Sequence, residues 1–252
     1  MFNTGYTDTM NMAVFPDSEH TMLAYSSFSG TRSGIWLQLV RTSAATGEVE
    51  LLTDRQLYAS TGSLGAGILA LDENTFVAFW WVSGVMSRAV GRFDAVTHVQ
   101  SMGATYSDDS FARRFRVTST KYAAVVRSGS TLSMILCEID PDVLSETCES
   151  AIALTSSYSR RLCAAQLSER HIVLVYENTA GAGESVLATI ACDGGVTVSA
   201  ARSVDNFVVP GYSEQWASEM TCVGMSSTML VYAFQDRYAV GQCAPLRCAE
   251  RA

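Results

Sequence analysis

A polar turn followed by an uninterrupted apolar run recurs along this chain, and the recurrence constrains the fold more than any other feature. The clearest copy, LDENTFVAFWWVSG, occupies residues 71–84, where seven consecutive apolar residues include Trp80 and Trp81. A strand with one face in water would alternate apolar and polar residues. A continuous apolar run of strand length therefore predicts a strand that is covered on both faces.

Four other segments repeat this order. They begin at residues 15, 117, 167 and 225 and read FPDSEHTMLAY, VTSTKYAAVV, LSERHIVLVY and MSSTMLVYAF. Their apolar runs restart at spacings of 53, 46, 50 and 58 residues. Five units of about 50 residues therefore account for the 252-residue chain, and a period of this size is typical of repeat architectures.

Each unit contains short runs of β-branched and aromatic residues separated by Gly, Ser, Asn and Asp. In residues 64–106 three such runs, LGAGILAL, FVAFWWV and SRAVGRFDAVT, precede a more polar fourth, THVQSMGATY. Four strands per unit and five units predict an all-β fold, a β-propeller with five blades of four antiparallel strands. PDVLSETCESAIAL, residues 141–154, is the one stretch whose pattern allows a helix.

A tyrosine followed by small or polar residues marks the start of most units, at Tyr6, Tyr58, Tyr106, Tyr158 and Tyr212. The chain therefore begins at the end of a fourth strand. We expect its N-terminal segment to supply the outer strand of the last blade and to close a single-domain ring; the rival interpretation is five units of a longer propeller. The predicted blades cover approximately residues 8–58, 59–106, 107–158, 159–212, and 213–252 together with 1–7.

The blade pattern of Leu, Ser or Asp, two polar residues and an apolar run ending near Tyr resembles the degenerate repeats of propellers in the broad FG-GAP and tachylectin-like group. The resemblance covers all five units and implies a lectin-like or adhesion-type frame. The sequence lacks the DxDxDG calcium loop of FG-GAP repeats, the WD dipeptide of WD40 blades and the paired glycines of kelch. The motif is therefore generic to blades, and it carries no binding residue over to this chain.

Charge and composition exclude several classes of partner. The net charge is −8 with 16 arginines and a single lysine, Lys121, and no basic cluster, which argues against nucleic acid. No apolar run approaches the 18 residues of a membrane span, and the opening MFNTGYTDTM has no signal-peptide pattern. His20, His98 and His171 are scattered and CxxC is absent, so neither a metal nor a cofactor is expected. The oligomeric state stays open.

All seven cysteines lie in the second half of the chain, and their odd number leaves at least one outside any intrachain pair. Two local disulfides fit the spacing, Cys137 with Cys148 across a hairpin and Cys243 with Cys248 across a short loop. The alternative is that these residues are small buried hydrophobes. Disulfides would indicate an oxidising compartment, and hence a secreted or cell-surface protein.

Candidate ligand residues lie in the loops that enter the first strands, on the face through which propellers bind their ligands. Arginine pairs, acids and aromatics are adjacent in these loops, which suits sugar recognition because aromatic faces stack on sugar C–H groups and charged groups bond hydroxyls. The alternative is that these side chains tie neighbouring blades together. The candidates are Tyr106, Asp108, Asp109, Arg113, Arg114, Tyr158, Arg160, Arg161, Tyr212, Glu214 and Trp216.

We expect a binding or scaffold propeller without catalytic activity, whose partner is a glycan or a protein. One alternative is a five-bladed glycoside hydrolase with two funnel carboxylates roughly 5–10 Å apart. However, the first-strand segments LGAGILAL and RRLCAAQL contain no acid, and no GxSxG nucleophile motif occurs. A purely structural module of a larger extracellular assembly is the other alternative. We interpret Trp80 and Trp81 as packing between blades, and Gly181–Gly183 as a hairpin loop.

Overall fold

The computed structural model describes residues 10–17, 19–27, 33–59, 64–82, 85–108, 111–204, 220–234 and 242–247. Within these ranges every regular element is a β-strand, which confirms the all-β class. The helix allowed over residues 141–154 is wrong, because strands cover Ser145–Cys148 and Ile152–Thr155. Both segments pair with the same neighbouring strand, and the backbone hydrogen bonds of this pairing override the weak helical pattern. None of the described elements is a helix that could cross a bilayer.

The described strands form five antiparallel sheets that follow one another along the chain. The first contains β1 (Met10–Val14), β2 (His20–Ser27), β3 (Gly34–Thr42) and β4 (Val49–Tyr58). The second contains β5 (Leu64–Ala70), β6 (Thr75–Val82), β7 (Val85–Phe93) and β8 (Gln100–Asp108). The third contains β9 (Phe111–Arg116), β10 (Lys121–Ser128), β11 (Thr131–Asp140), β12 (Ser145–Cys148) and β13 (Ile152–Thr155).

The fourth sheet contains β14 (Tyr158–Ser168), β15 (His171–Asn178), β16 (Gly183–Ile190), β17 (Val196–Val198) and β18 (Arg202–Ser203). Its outer edge is interrupted, since β17 and β18 both pair with β16, just as β12 and β13 both pair with β11. The described part of the fifth sheet contains β19 (Met220–Ser226), β20 (Met229–Phe234) and β21 (Gln242–Arg247). The order of four strands predicted for each unit is thus observed in the first four sheets, while the blade boundaries stay a prediction.

The polar turn of the repeat lies between the first and second strands of each sheet. A side-chain oxygen at its start accepts the backbone N–H two residues later, at 2.9–3.3 Å, and so satisfies a donor outside the strand ladder. In chain order this oxygen belongs to Asp17, Asp72, Thr118, Ser168 and Ser226. The repeat found in the sequence is therefore a repeated hydrogen bond as well as a repeated hydropathy pattern.

The corner between the third and fourth strands also repeats. In the first three sheets its first residue accepts backbone N–H groups of the corner through a side-chain oxygen; these residues are Ser43, Asp94 and Asp140. Four residues later the backbone adopts a positive φ, at Gly47, His98 and Leu144. This conformation costs a non-glycine residue roughly 1–2 kcal/mol. Two of the three corners therefore hold a strained residue.

We expect Leu144→Gly to raise the free energy of unfolding by about 1 kcal/mol, because glycine adopts the φ of 53° without steric cost. The control is Val143→Gly, at a residue that is 67% exposed and has no positive φ. Glycine at that position should lower the free energy of unfolding by roughly 0.5–1 kcal/mol. Urea unfolding of both variants measures the difference, and equal losses would contradict the prediction.

The chain divides into two compact units, residues 1–123 with 137–149 and residues 124–136 with 150–252. The core of the first unit is built around Phe15, whose ring centre lies 6.3 Å from that of Phe76 and 4.9 Å from that of Phe93, edge to face. Trp80 packs into this core at 5% exposure, as predicted. The core of the second unit combines Val173 and Val175 of β15 with Cys163, Ala165 and Leu230.

The second strands differ in how their two faces are covered. The middles of β10 and β15 are buried without alternation, which confirms the interpretation of the continuous apolar runs. In β2, by contrast, Met22 is fully buried while Leu23 and Tyr25 are half-buried. Their strand partners on β1, Met12 and Met10, are 66% and 69% exposed. Within the described residues, the first sheet therefore has one covered face and one open apolar face.

Candidate functional site

Seven of the eleven residues predicted to bind ligand lie where the first strands of the third and fourth sheets begin. Tyr106 and Asp108 end β8, Arg113 and Arg114 belong to β9, and Tyr158, Arg160 and Arg161 begin β14. For Asp108, Arg160 and Arg161 the structure describes the backbone alone. Asp109, Tyr212, Glu214 and Trp216 lie outside the described residues. The ligand role of all these residues stays a prediction.

A buried ion pair between Arg88 and Glu146 lies in the first unit, and Tyr106 contacts it. The guanidinium Nε of Arg88 donates to Glu146 Oε1, and the two side chains are 8% and 1% exposed. The hydroxyl of Tyr122 donates to Glu146 Oε2 at 2.7 Å, and the Glu146 N–H donates to the Tyr106 hydroxyl oxygen at 3.5 Å. The Arg88 guanidinium also lies 5.6 Å from the centre of the Tyr106 ring. These contacts connect β7 and β8 with β10 and β12.

The two predicted arginines of β9 have different surroundings. Arg113 is exposed, whereas the guanidinium of Arg114 lies 4.0 Å from the centre of the Phe79 ring. Burial lowers the pKa of Arg114 to about 10, so this side chain is still protonated at neutral pH. Burial and the nearby Glu146 raise the pKa of Tyr122, which keeps the phenol neutral and able to donate. At neutral pH, Arg114 therefore stays charged and Tyr122 stays a hydrogen-bond donor.

Cys137 and Cys148 face each other across β11 and β12 and form a disulfide. This pairing is one of the two that the cysteine spacing predicts; the other, Cys243 with Cys248, involves a residue outside the described part of the chain. Arg88 Nη2 lies 3.6 Å from the sulfur of Cys148, so the disulfide borders the buried ion pair. Among the cysteines whose side chains the structure describes, those without a disulfide are Cys163, Cys192 and Cys222.

The second unit has its own polar cluster where β14 begins. Tyr158 is 6% exposed, and the exposed guanidinium of Arg127 lies 5.1 Å from the centre of its ring. The ring of Tyr176 lies 6.5 Å from that of Tyr158, on the other strand of the pair. The position of Tyr158 leaves little of its ring open to solvent.

Glu184, at the start of β16, accepts three side-chain hydrogen bonds in this cluster. Asn178 Nδ2 donates to one carboxylate oxygen at 2.8 Å, and the hydroxyls of Tyr176 and Ser157 donate to the other at 2.8 and 3.2 Å. The hydrogen bond from Asn178, with those from Tyr176 and Ser157, outweighs partial burial and lowers the pKa of Glu184. Glu184 is therefore ionised at neutral pH, which does not suit it to act as a general acid.

We expect Glu184 to make folding more favourable above its ordinary pKa of 4.5 and to lose this contribution as the pH falls through its lower folded-state pKa. The sign follows because the unfolded chain binds the proton more readily than the folded chain. Unfolding of wild type and Glu184→Gln by urea, at pH 7 and at steps below 4.5, measures the effect. The difference between the two proteins should shrink in acid; a difference that is constant with pH would contradict the assignment.

Trp81 is exposed on the predicted ligand face. The sequence had suggested instead that this side chain packs between blades. It is 53% exposed at the end of β6, and Val85 at the start of β7 is equally exposed, whereas Trp80 is buried. Packing between sheets is therefore confirmed for Trp80 and is wrong for Trp81. The cross-strand partner of Trp81 on β5 is Gly65, which has no side chain to cover the indole. The sequence signal that could have indicated this exposure is the glycine at position 65, which lies opposite Trp81 when the two strands are paired.

The three histidines occupy turns and corners. His20 Nδ1 lies 2.6 Å from Asp17 Oδ2, and His171 Nδ1 lies 2.8 Å from Ser168 Oγ, so both brace the polar turn of their sheet. His98 holds the positive φ of its corner. In the part of the chain that the structure describes, there is one place where potential metal-ligand atoms of three Asp, Glu, Cys or His side chains lie within 4.8 Å of one another. This group is formed by Cys137, Glu146 and Cys148.

Neither a protein-family model nor a curated protein matches the chain. Solved structures do. A protein from Bacteroides uniformis assigned as a 6-phosphogluconolactonase superposes with a TM-score of 0.65 at 12% identity, over 94% of this chain and 66% of its own. A second such protein, from Bacteroides fragilis, superposes with a TM-score of 0.53 at 10% identity, over 78% of this chain and 55% of its own.

These similar structures are β-propeller-type folds, so the chain has a propeller-type architecture. The chain spans less than two thirds of the length of these two proteins. At such identities the likeness shows the fold alone, because propellers support many unrelated functions. The finer grouping with FG-GAP and tachylectin-like propellers has no family-model match and stays a prediction.

Proposed function

We propose that this chain is a binding or scaffold propeller without catalytic activity, whose partner is a glycan or a protein held on the face where first strands begin and second strands end. The observation that carries the proposal is the exposed indole of Trp81 beside Val85 at that end of the second sheet. Tryptophan supplies a large apolar face and an N–H donor, which suits both sugar rings and protein hot spots. An indole left in water on a rigid strand end is best explained by a partner that covers it.

The carboxylates of the two described polar clusters, one in each unit, also support binding rather than proton transfer. Glu184 is held as an anion by three donors, and Glu146 accepts hydrogen bonds from Arg88 and Tyr122. A glycosidase needs one carboxyl with a raised pKa and a second at a set distance from it. The carboxylates of Glu184 and Glu146 instead accept internal hydrogen bonds, which make the frame that carries the loops rigid.

We expect Trp81→Ala to abolish retention of the partner, because the apolar contact that carries the binding is removed. The matched control is Val96→Ala, which truncates a side chain that is 85% exposed in the third-to-fourth-strand corner of the same sheet. A glycan array, and a pull-down for protein partners, probed with the labelled wild type and both variants, measure the loss. Hydrolysis of aryl glycosides by a protein that retains no ligand would favour the hydrolase over the binding function. Retention of the partner by Trp81→Ala would contradict the proposed binding site.

We further propose that the ring has five blades and that residues 1–7 supply a fourth strand to the fifth sheet. The support is that the described part of that sheet has three strands where the first two sheets have four. Hydrogen exchange of a variant that lacks residues 1–7 tests the proposal. The amides of β21 should exchange faster than in the full chain, and unchanged exchange would count against a strand at this edge.

A further inference from the structure

We propose that Cys137, Cys148 and Glu146 form a binding site for a soft divalent cation such as Zn²⁺ once the Cys137–Cys148 disulfide is reduced. Two sulfur atoms and one carboxylate oxygen already lie within 4.8 Å of one another. Thiolates and carboxylates are both zinc ligands, and three protein ligands with one solvent position form a common coordination set. The proposal does not depend on the proposed binding function.

Strand register puts the three ligands on one face of the third sheet. Cys148 pairs directly with Cys137, and Glu146 precedes Cys148 by two residues, so it projects from the same side of β12. Cys137 is 1% exposed, as is the side chain of Glu146. Cys148 is half-buried in this group and is the most accessible of the three ligands. The site therefore has two buried ligands and one that is partly accessible to solvent.

A positive charge already lies against two of these ligands. The Arg88 guanidinium donates to Glu146 and lies 3.6 Å from the sulfur of Cys148. Two thiolates and a carboxylate would carry three negative charges, more than the guanidinium groups of Arg88 and Arg114, which both interact with Glu146, can neutralise in a buried setting. A divalent cation supplies the missing charge and binds all three ligands. Arg88 then pairs with the excess negative charge of the complex instead of with Glu146 alone.

The redox and proton balance is simple. A phosphine reduces the disulfide to two thiols while water supplies the oxygen of the phosphine oxide; in a cell, a dithiol would do the same and become a cyclic disulfide. The cation then displaces the two thiol protons into solvent. Sulfur ligands favour Zn²⁺, Co²⁺ or Cd²⁺ over Mg²⁺ and Ca²⁺.

Titration of the phosphine-reduced full chain with Co²⁺ tests the proposal, because a Co²⁺–thiolate site absorbs by charge transfer in the near ultraviolet and tetrahedral Co²⁺ absorbs in the visible. We expect one equivalent to bind, and Zn²⁺ to displace it. Cys148→Ser should abolish the charge-transfer signal at that equivalent, and Glu146→Gln should weaken binding about tenfold or more. Cys192→Ser, which removes an exposed thiol elsewhere, is the matched control and should bind like the wild type.

The oxidised wild type is a folded negative control that needs no substitution. Absorption in the reduced protein and not in the oxidised protein supports the site when Cys148→Ser also loses it. Absence of the signal in the reduced wild type overturns the proposal, and so does a signal that Cys148→Ser retains. If reduction itself removes the native circular dichroism, Zn²⁺ must restore it; failure to do so also overturns the proposal.

Discussion

Arg88→Met is expected to lower the free energy of unfolding by about 3–5 kcal/mol, because it leaves the Glu146 carboxylate buried without its ion-pair partner. Methionine keeps most of the volume and the apolar stem, so the loss reports charge rather than a cavity. Urea unfolding at neutral pH, with the disulfide intact in all proteins, measures it. The matched control is Lys121→Met, which removes an ion pair with Glu138 whose side chains are 37% and 62% exposed. That change should cost less than about 1 kcal/mol.

The double variant Arg88→Met with Glu146→Leu separates two explanations of a large loss. When both charges of this pair are replaced by apolar groups, neither member of the pair is left without its partner, and most of the stability lost in Arg88→Met should return. A double variant as unstable as the sum of the two single variants would show that the pair is held by packing, and that the electrostatic argument is wrong.

Gly103→Ala is expected to lower the free energy of unfolding by about 3 kcal/mol, because its Cβ would overlap the carbonyl oxygen of Leu144. The obstacle is backbone, so no side-chain rotation can relieve it. Either β8 or the corner that ends at Leu144 must shift, at the point where the second and third sheets approach each other. Thermal or urea unfolding of the variant measures the loss.

Gly65→Ala is the matched control for the same chemical change in β5, the opposite edge strand of the same sheet. The nearest atom to its new Cβ is the Trp81 Cβ at 3.8 Å, an ordinary contact. We expect little change in stability there. Equal effects at Gly65 and Gly103 would contradict the claim that the approach of Leu144 requires glycine.

Much of the fold could be predicted because its information is local. The continuous apolar run of residues 76–82 and the polar turn before it mark a second strand and its hairpin, and Asp72 both ends the first strand and caps the turn. The same pairing of a short-range hydrogen bond with an apolar run recurs in every unit. The disulfide between Cys137 and Cys148 could be predicted for the same reason, because the two residues are 11 positions apart in one hairpin.

The candidate site was harder to predict because its contacts are long-range. Arg88 and Glu146 are 58 residues apart, and nothing near either residue signals the other. Arg113 and Arg114 look equivalent in sequence, yet strand alternation exposes one and stacks the other on Phe79. A run that is apolar throughout also hides its own alternation, which is why Trp80 and Trp81 were assigned the same role.

The corners between third and fourth strands offer places where foreign sequence could be added without rebuilding the molecule. In the second sheet the corner is closed by backbone hydrogen bonds from Asp94 to Val99 and from His98 to Asp94, and its tip at Val96 is 85% exposed. A peptide spliced between residues 95 and 96 would leave the strands on either side paired and would project into water. This chain could therefore serve as a carrier for displayed epitopes, with the insertion placed away from the loop ends where Trp81 lies.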